Sequence, residues 1–299
     1  MTDLILALPS KGRLKEQAEA WLADCGFPVQ AAGGARGYRA AIDRLPGVQV
    51  QLLSASDIAA AVDSGEVHLG VTGEDLLRER GEGIDARVML LRALGFGRAD
   101  VVVAAPKSWI DVDAMADVEE VAAAYLARTG RRLRVATKYL VQTRAFFARH
   151  GVADYRIVES GGATEGAPAA GAAELIVDIT TTGATLAANN LKIVSDGVIL
   201  KSEAQLAAGL KAPWTPDQVE TVRFFLRTVE ARARAKGLAA LTSPGAEGLL
   251  TPMKTLFEAA NALAEAGIGP AAASRPDYVF EPECVAADTL ARRLGFSTC

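Results

Sequence analysis

Through the first two-thirds of the chain, short apolar or β-branched runs alternate with segments whose apolar residues recur every three or four positions. Runs at 4–8, 48–53, 69–72, 88–91, 100–104, 133–137, 155–158, 175–179 and 191–195 have the length of strands. Helical spacing marks 15–25, 56–64, 74–80, 118–128, 142–150 and 165–170. Strand and helix patterns in alternation predict an α/β fold with a largely parallel sheet covered by helices. Helix starts are expected at Asp57-Ile58, preceded by Ser56, and at Thr72-Gly73-Glu74, where a hydroxyl stands ready to cap the first turn.

Beyond about residue 210 the pattern turns mainly helical. Trp214-Thr215-Pro216-Asp217 opens a basic helical stretch to Lys236, and further helical stretches follow at 253–266 and near 284–294. Val222, Phe225, Leu226 and Val229 share one spacing, and Leu256, Phe257, Ala260 and Leu263 repeat it, so each set reads as a packed helix face. The best strand candidate in this region is 278–280.

Composition narrows the picture. The chain has 299 residues, 50% hydrophobic and 23% charged, which suits a globular protein with a real core. No run reaches the ~20 apolar residues of a membrane span, and the start lacks a signal-peptide pattern, so a cytoplasmic protein is expected. Three cysteines, Cys25, Cys284 and Cys299, argue against a disulfide framework, and two histidines leave little room for a zinc site. A net charge of −4 argues against a nucleic-acid binder. The cations Arg223, Arg227, Arg232, Arg234 and Lys236 are interspersed with glutamates and read as a solvated or subunit-facing surface.

Five stretches carry candidate chemistry. The run DITTTGATL from Asp178 to Leu186 follows an apolar strand; its backbone N–H groups and the hydroxyls of Thr181, Thr182 and Thr185 suit a ribose phosphate, with Gly183 allowing close approach. Asp178 would accept from ribose hydroxyls. The same run also suits a plain capped turn. Lys11 and Arg13 stand where the first strand enters the first helix, a place where open α/β sheets bind ligands, although solvated charges explain them equally. Glu74 and Asp75 open a helix after a Gly turn, as substrate contacts or as complements to its dipole. Lys138 and Arg144 lie near another helix start, where cations oppose the dipole unless an anion sits there, so a phosphate is expected. Glu165 belongs to a loop with Gly161, Gly162 and Thr164, either a donor-rich binding loop with Glu165 facing inward or a capped connection.

Taken together these stretches resemble the ATP phosphoribosyltransferase family. The resemblance runs from about residue 4 to 205 and rests on PSKGRL, GVTGEDLL, LGFG, ATKY, GATEGAP and DITTTGATL in order, with Asn189-Asn190-Leu191 following. It implies a two-lobed periplasmic-binding-protein-like catalytic unit over 1–210, one lobe being about 1–97 plus 176–210 and the other about 98–175, with a mainly helical extension at 211–299. It further implies transfer of the phosphoribosyl group of phosphoribosyl pyrophosphate to N1 of ATP, with Mg2+ on the substrate phosphates and no protein metal ligands. Asp178, Lys11 and Glu165 are then the expected catalytic residues. Asp178, Thr181, Thr182, Gly183, Ala184 and Thr185 are expected to bind phosphoribosyl pyrophosphate, and Lys11, Arg13, Glu74, Asp75 and Lys138 to bind ATP or phosphate. A homo-oligomer is expected, with a regulatory subunit resembling histidyl-tRNA synthetase as a further partner. Two departures stand out: a single Asp178 follows Ile176-Val177 where many other phosphoribosyltransferases carry paired acids, and the tail lacks the strand pattern of a ferredoxin-like regulatory domain. The rival from another class is a non-catalytic ligand-binding or regulatory module on the same two-lobed fold.

Overall fold

The computed structural model describes residues 3–31, 39–243, 246–252, 255–270 and 272–297. The chain begins β1 (Leu4–Pro9), α1 (Gly12–Asp24), β2 (Val29–Ala31), β3 (Arg39–Ile42), β4 (Val48–Leu53), α2 (Ala55–Ser64), β5 (Leu69–Gly73), α3 (Glu74–Arg78), α4 (Ile84–Arg87) and β6 (Val88–Ala93). It continues through β7 (Asp100–Pro106), α5 (Met115–Thr129), β8 (Leu133–Thr137), α6 (Leu140–Arg149), β9 (Tyr155–Glu159), β10 (Leu175–Thr180), α7 (Ala184–Ala188), β11 (Leu191–Leu200) and β12 (Ala204–Gly209). Last come α8 (Pro216–Ala235), β13 (Ala239–Ser243), β14 (Ala246–Thr251), α9 (Leu256–Glu265), β15 (Ala272–Ser274) and α10 (Val285–Arg293). All nine expected strands form. The helix expected at 165–170 shrinks to a single 3₁₀ turn at Thr164–Gly166.

The chain divides into two compact units, Leu6–Gln17 with Leu52–Ala212, and Met1–Ile5 with Ala18–Gln51 and Pro213–Cys299. The first holds two sheets. One runs β1-β5-β12-β6, with β1 parallel to β5 and β12 antiparallel to both its neighbours. The other runs β11-β7-β10-β8-β9, with β8 parallel to β9 and β10 while β7 opposes β10 and β11. Both sheets are therefore mixed, a correction to the largely parallel sheet expected. The physical reason is that β7 and β12 each arrive from the other sheet and so escape the βαβ crossover that enforces parallel pairing. The residues of 176–200, expected with the first lobe, pair in the second sheet, because Val177 and its neighbours find register with Val103 and Thr137.

Two connections cross between these sheets side by side. Leu94 N–H donates to Ala204 O at 2.9 Å, Ala204 N–H to Phe96 O at 2.9 Å, and Ala99 N–H to Ser202 O at 2.9 Å. Gly97 lies there at φ +64, and a Cβ on it would meet Leu14 Cδ1 at 3.0 Å and Ala204 Cβ at 3.2 Å. In the second sheet, alternate residues pack opposite faces: Val101, Val103, Val135 and Val177 on one, Val102, Ala104, Ala136 and Ile176 on the other.

In the second unit β2, β3 and β4 form an antiparallel ribbon. Helix α8 starts with a Thr215–Gln218 capping box and buries Val222, Phe225, Leu226 and Val229 as its spacing predicts. Phe225 meets Trp21 edge-on at 6.3 Å and Phe27 at 5.2 Å. Its basic residues are used internally: Arg232 and Lys236 bind Asp24 at 2.9 and 2.6 Å, Arg234 binds Glu281 at 2.9 Å, and Arg223 binds Asp288. The region is mainly helical, yet β14-β13-β15 make a small sheet that the pattern did not announce. No strand forms at 278–280; Val279 instead exchanges hydrogen bonds with α8 through Ala231 O and the Arg234 guanidinium. On α9 the inward face is Leu256, Ala259 and Leu263, whereas Phe257 is 79% exposed; residues 253–254 of the expected helix lie outside the described residues.

Candidate active site

The carboxyl ends of the parallel strands β8, β9 and β10 lie at one edge of their sheet, the edge where open α/β sheets bind ligands. Lys138 follows β8, the 3₁₀ turn with Glu165 follows β9, and Asp178 lies near the end of β10. Lys138 and Glu165 both act on Asp178. Burial pushes the Asp178 carboxyl above its usual range; the Ile179 N–H, which donates to it at 2.8 Å, and Lys138 pull it back, while Glu165 pushes it further up.

Directly after Asp178 the chain makes the expected loop. Gly183 N–H donates to Thr180 Oγ1 at 2.8 Å and Ala184 N–H to Thr182 Oγ1 at 3.4 Å, while the Thr181 hydroxyl donates to Arg98 O at 3.1 Å. Gly183 takes φ +75, a left-handed conformation that strains any residue with a Cβ. Thr181, Thr182, Ala184 and Thr185 are exposed and, with Ala99, Ile179 and Thr180, line a recess of about 210 Å³. The N–H groups of Gly183 and Ala184 are thus held by hydroxyls, while the other first-turn N–H groups of α7 have no acceptor within the helix.

Lys11 and Arg13 stand after β1, and Glu74 and Asp75 after β5, its parallel neighbour, so all four belong to one edge of the first sheet. Lys11 and Arg13 are exposed and make no ion pair among the described residues. Lys11 is not among the charges that shift Asp178. Glu74 is partly committed, to Arg78 at 3.2 Å and the Gln205 amide at 3.3 Å.

Asp75, expected at ATP or phosphate, is 5% exposed, and its two carboxylate oxygens accept from the Tyr139 hydroxyl at 2.7 Å and the Ser202 hydroxyl at 2.9 Å, so it is a buried connector between elements. The anion expected at the start of α6 is likewise supplied from within. Glu79, just past α3, accepts from Val141 N–H at 2.8 Å and from Gln142 N–H at 3.2 Å. Arg144 is exposed further along α6, where its charge lowers the tendency of burial to push up Tyr155. The capping expectations shift as well: α2 is capped by Ser54, which accepts from Asp57 N–H at 3.1 Å, and Gly73 precedes α3 without a side-chain cap.

Tyr139, Glu79, Gln142 and Ser202 were missed by the sequence reading. Each works through a partner more than 60 positions away, 62 for Glu79 with Val141 and 127 for Asp75 with Ser202, so no local spacing points to them. Among the described residues no group of three or more His, Cys, Asp or Glu side chains gathers to hold a metal ion.

A family model described as ATP phosphoribosyltransferase matches residues 54–228. The chain is 65% identical to an ATP phosphoribosyltransferase of Caulobacter vibrioides over 98% of both sequences. It is 49% identical to one of Bradyrhizobium diazoefficiens over 93% of this chain and 94% of that one. Among solved structures, the ATP phosphoribosyl transferase (HisG:HisZ) complex from Thermotoga maritima aligns with a TM-score of 0.58 at 25% identity, covering 76% of this chain and 96% of that chain.

Proposed function

Because the chain belongs to the ATP phosphoribosyltransferase family, we propose that Asp178, Lys138, Glu165 and the loop at 181–185 are the part of it that handles phosphoribosyl pyrophosphate. The protein is an ATP phosphoribosyltransferase: it moves the 5-phosphoribosyl group to N1 of ATP and releases pyrophosphate, the first step of histidine biosynthesis. The observation that carries the site reading is the placing of Lys138 and Asp178 just past the paired Thr137 and Val177 of neighbouring strands, next in sequence to the loop that lines the Thr-rich recess.

Little covalent help is needed for this chemistry. As pyrophosphate leaves, C1′ of the ribose gains positive charge, and the rate depends on alignment and on fixed charges placed where charge develops. In the proposed arrangement Thr181, Thr182, Gly183, Ala184 and Thr185 hold the 5′-phosphate with hydroxyl and backbone donors. Asp178 accepts from the ribose hydroxyls, and Glu165 adds a second carboxylate facing C1′. Lys138 neutralises the departing pyrophosphate, while Lys11, Arg13 and Glu74 meet ATP from the first sheet's edge. The reaction of this family needs a divalent ion. Among the described residues no group of carboxylates gathers to hold a cation, and the Lys138 charge acts on Asp178, so Mg2+ is proposed to arrive as part of the substrate, on its phosphate oxygens.

A cytoplasmic location, a homo-oligomer and a separate regulatory subunit resembling histidyl-tRNA synthetase complete the proposal. No helix among the described residues is long and apolar enough to cross a membrane. The test supplies purified protein, with copurifying partner subunits restored if needed, with ATP, phosphoribosyl pyrophosphate and Mg2+. Pyrophosphate is expected only when all three are present. Tight binding of substrates with no release under any partner condition would instead favour the non-catalytic module.

A further inference from the structure

Lys138 makes no ion pair or side-chain hydrogen bond among the described residues, yet its flanks are held tightly. Thr137 before it is fully buried and accepts the Tyr139 N–H at 2.9 Å; Tyr139 after it is fully buried, with the Lys138 ammonium 4.9 Å from its ring centre. The Tyr139 hydroxyl donates to Asp75 at 2.7 Å, and Ser202 secures Asp75 twice, donating to its carboxylate at 2.9 Å and accepting its N–H at 3.0 Å. The Gln142 amide reaches Asp75 O at 2.9 Å, and Glu79 holds the N–H groups of Val141 and Gln142. Apart from Thr137, which closes the turn from the end of β8, every anchoring group on the far side of these bonds comes from α3 and the residue just past it, or from the connection at 201–203.

A fully buried phenol and a buried carboxylate are a costly pair to place without purpose, since each requires the other as a partner. Tyr139 packs in the apolar cluster of the second sheet, where a phenylalanine ring would fill the same space. Its hydroxyl adds one thing, an attachment to the first sheet's elements beside a lysine that influences Asp178.

We propose that Tyr139 is a positioning residue for phosphoribosyl transfer: through its hydrogen bond to Asp75, itself secured by Ser202, it fixes the turn at 137–139 and so holds the Lys138 ammonium in its place beside Asp178. This rests on the roles given above to Lys138 and Asp178. Burial and the adjoining carboxylate push the phenol far above its ordinary range, so the donor is present at every working pH. Tyr139→Phe keeps the ring and its contact with the ammonium and removes the attachment, leaving one Asp75 oxygen without its donor.

The test is a double-mutant cycle on the full-length enzyme with any partner it needs, reading KM for phosphoribosyl pyrophosphate, KM for ATP and kcat. Lys138→Met is expected to raise KM for phosphoribosyl pyrophosphate by about ten-fold or more, and Tyr139→Phe to raise it by roughly three- to ten-fold with KM for ATP nearly unchanged. In the Lys138→Met background, Tyr139→Phe is expected to add nothing, because the group it positions is gone. Should Tyr139→Phe fold poorly, Ser202→Ala loosens the same attachment and should give a smaller effect that also vanishes with Lys138→Met. A damaging Lys138→Met combined with fully additive effects, or a Tyr139→Phe enzyme that loses thermal stability while its KM values stay unchanged, would overturn the positioning role alone. Wild-type KM in Lys138→Met would overturn the site reading and this proposal with it.

Discussion

Asp178, half-buried, and Asp63, buried, show two opposite responses of a carboxylate to its surroundings. Burial raises Asp178 above its ordinary value, and Lys138 with the Ile179 N–H offsets only part of that rise. A folded-state value above the unfolded one means that protonation favours folding, so the stability it confers is present at low pH and is lost as pH rises through the folded value. Asp178→Asn is therefore expected to raise the melting temperature at pH 7, with the gain shrinking toward pH 4, while phosphoribosyl pyrophosphate use falls about ten-fold or more for a lost charged hydrogen bond of ~1.5–3 kcal/mol. Calorimetry at both pH values with steady-state kinetics checks it; a lower melting temperature with normal kinetics would make Asp178 a structural residue. For Asp63, 7% exposed, burial alone would raise the carboxyl, but Arg87 at 2.5 Å and Arg80 at 3.0 Å outweigh it and hold it below its usual range. Its contribution is present above the unfolded value and is lost as pH falls through the folded one. Asp63→Asn should cost about 2–3 kcal/mol in urea unfolding at pH 7, with KM values unchanged, because it leaves two guanidinium groups without their counter-charge.

Among the elements, the paired connections at 94–99 and 201–204 determine how the two sheets of the first unit are joined. They are backbone ladders, and Gly97 is the point at which a side chain would be both strained and crowded. Gly97→Ala is expected to lower stability by about 1–2 kcal/mol, a left-handed φ and two close carbon contacts acting together. Chemical denaturation measures it, and an unchanged midpoint would show that the connection yields easily. Helix α6 illustrates a different balance: Glu79 complements its N-terminus, so the start of α6 is not waiting for substrate phosphate, and Lys138 is free to act ahead of it.

For the whole molecule, the region after 210 is not a detachable appendix. Pro213–Cys299 shares a compact unit with Ala18–Gln51, in which Phe225 of α8 packs on Trp21 and Phe27, and Arg232 and Lys236 neutralise Asp24. A chain ended at residue 212 would expose those aromatic faces, each worth roughly 1.5–3 kcal/mol when buried. Such a truncation should be recovered mostly as aggregate, or should melt without cooperativity by circular dichroism. A soluble, cooperatively folding 1–212 fragment would restore the two-domain division at 210 that the pattern of the sequence suggested.

The strands and most helices were legible along the chain because their signal is local: alternation on β8 and three- or four-residue spacing on α8 arise from near neighbours that share a face. The phosphate-type loop after Asp178 was legible for the same reason, since a strand, hydroxyls, a glycine and a helix start are consecutive. Which way β10 and β12 run, the burial of Asp75 and the capping of α6 by Glu79 were not. Strand direction depends on which sheet a segment enters, and Asp75 and Glu79 carry the same side chains they would have as solvated first-turn acids. Their roles were settled only when folding brought Tyr139, Val141 and Ser202 to them, because a carboxylate takes its chemistry from the donors around it and those donors are distant in sequence.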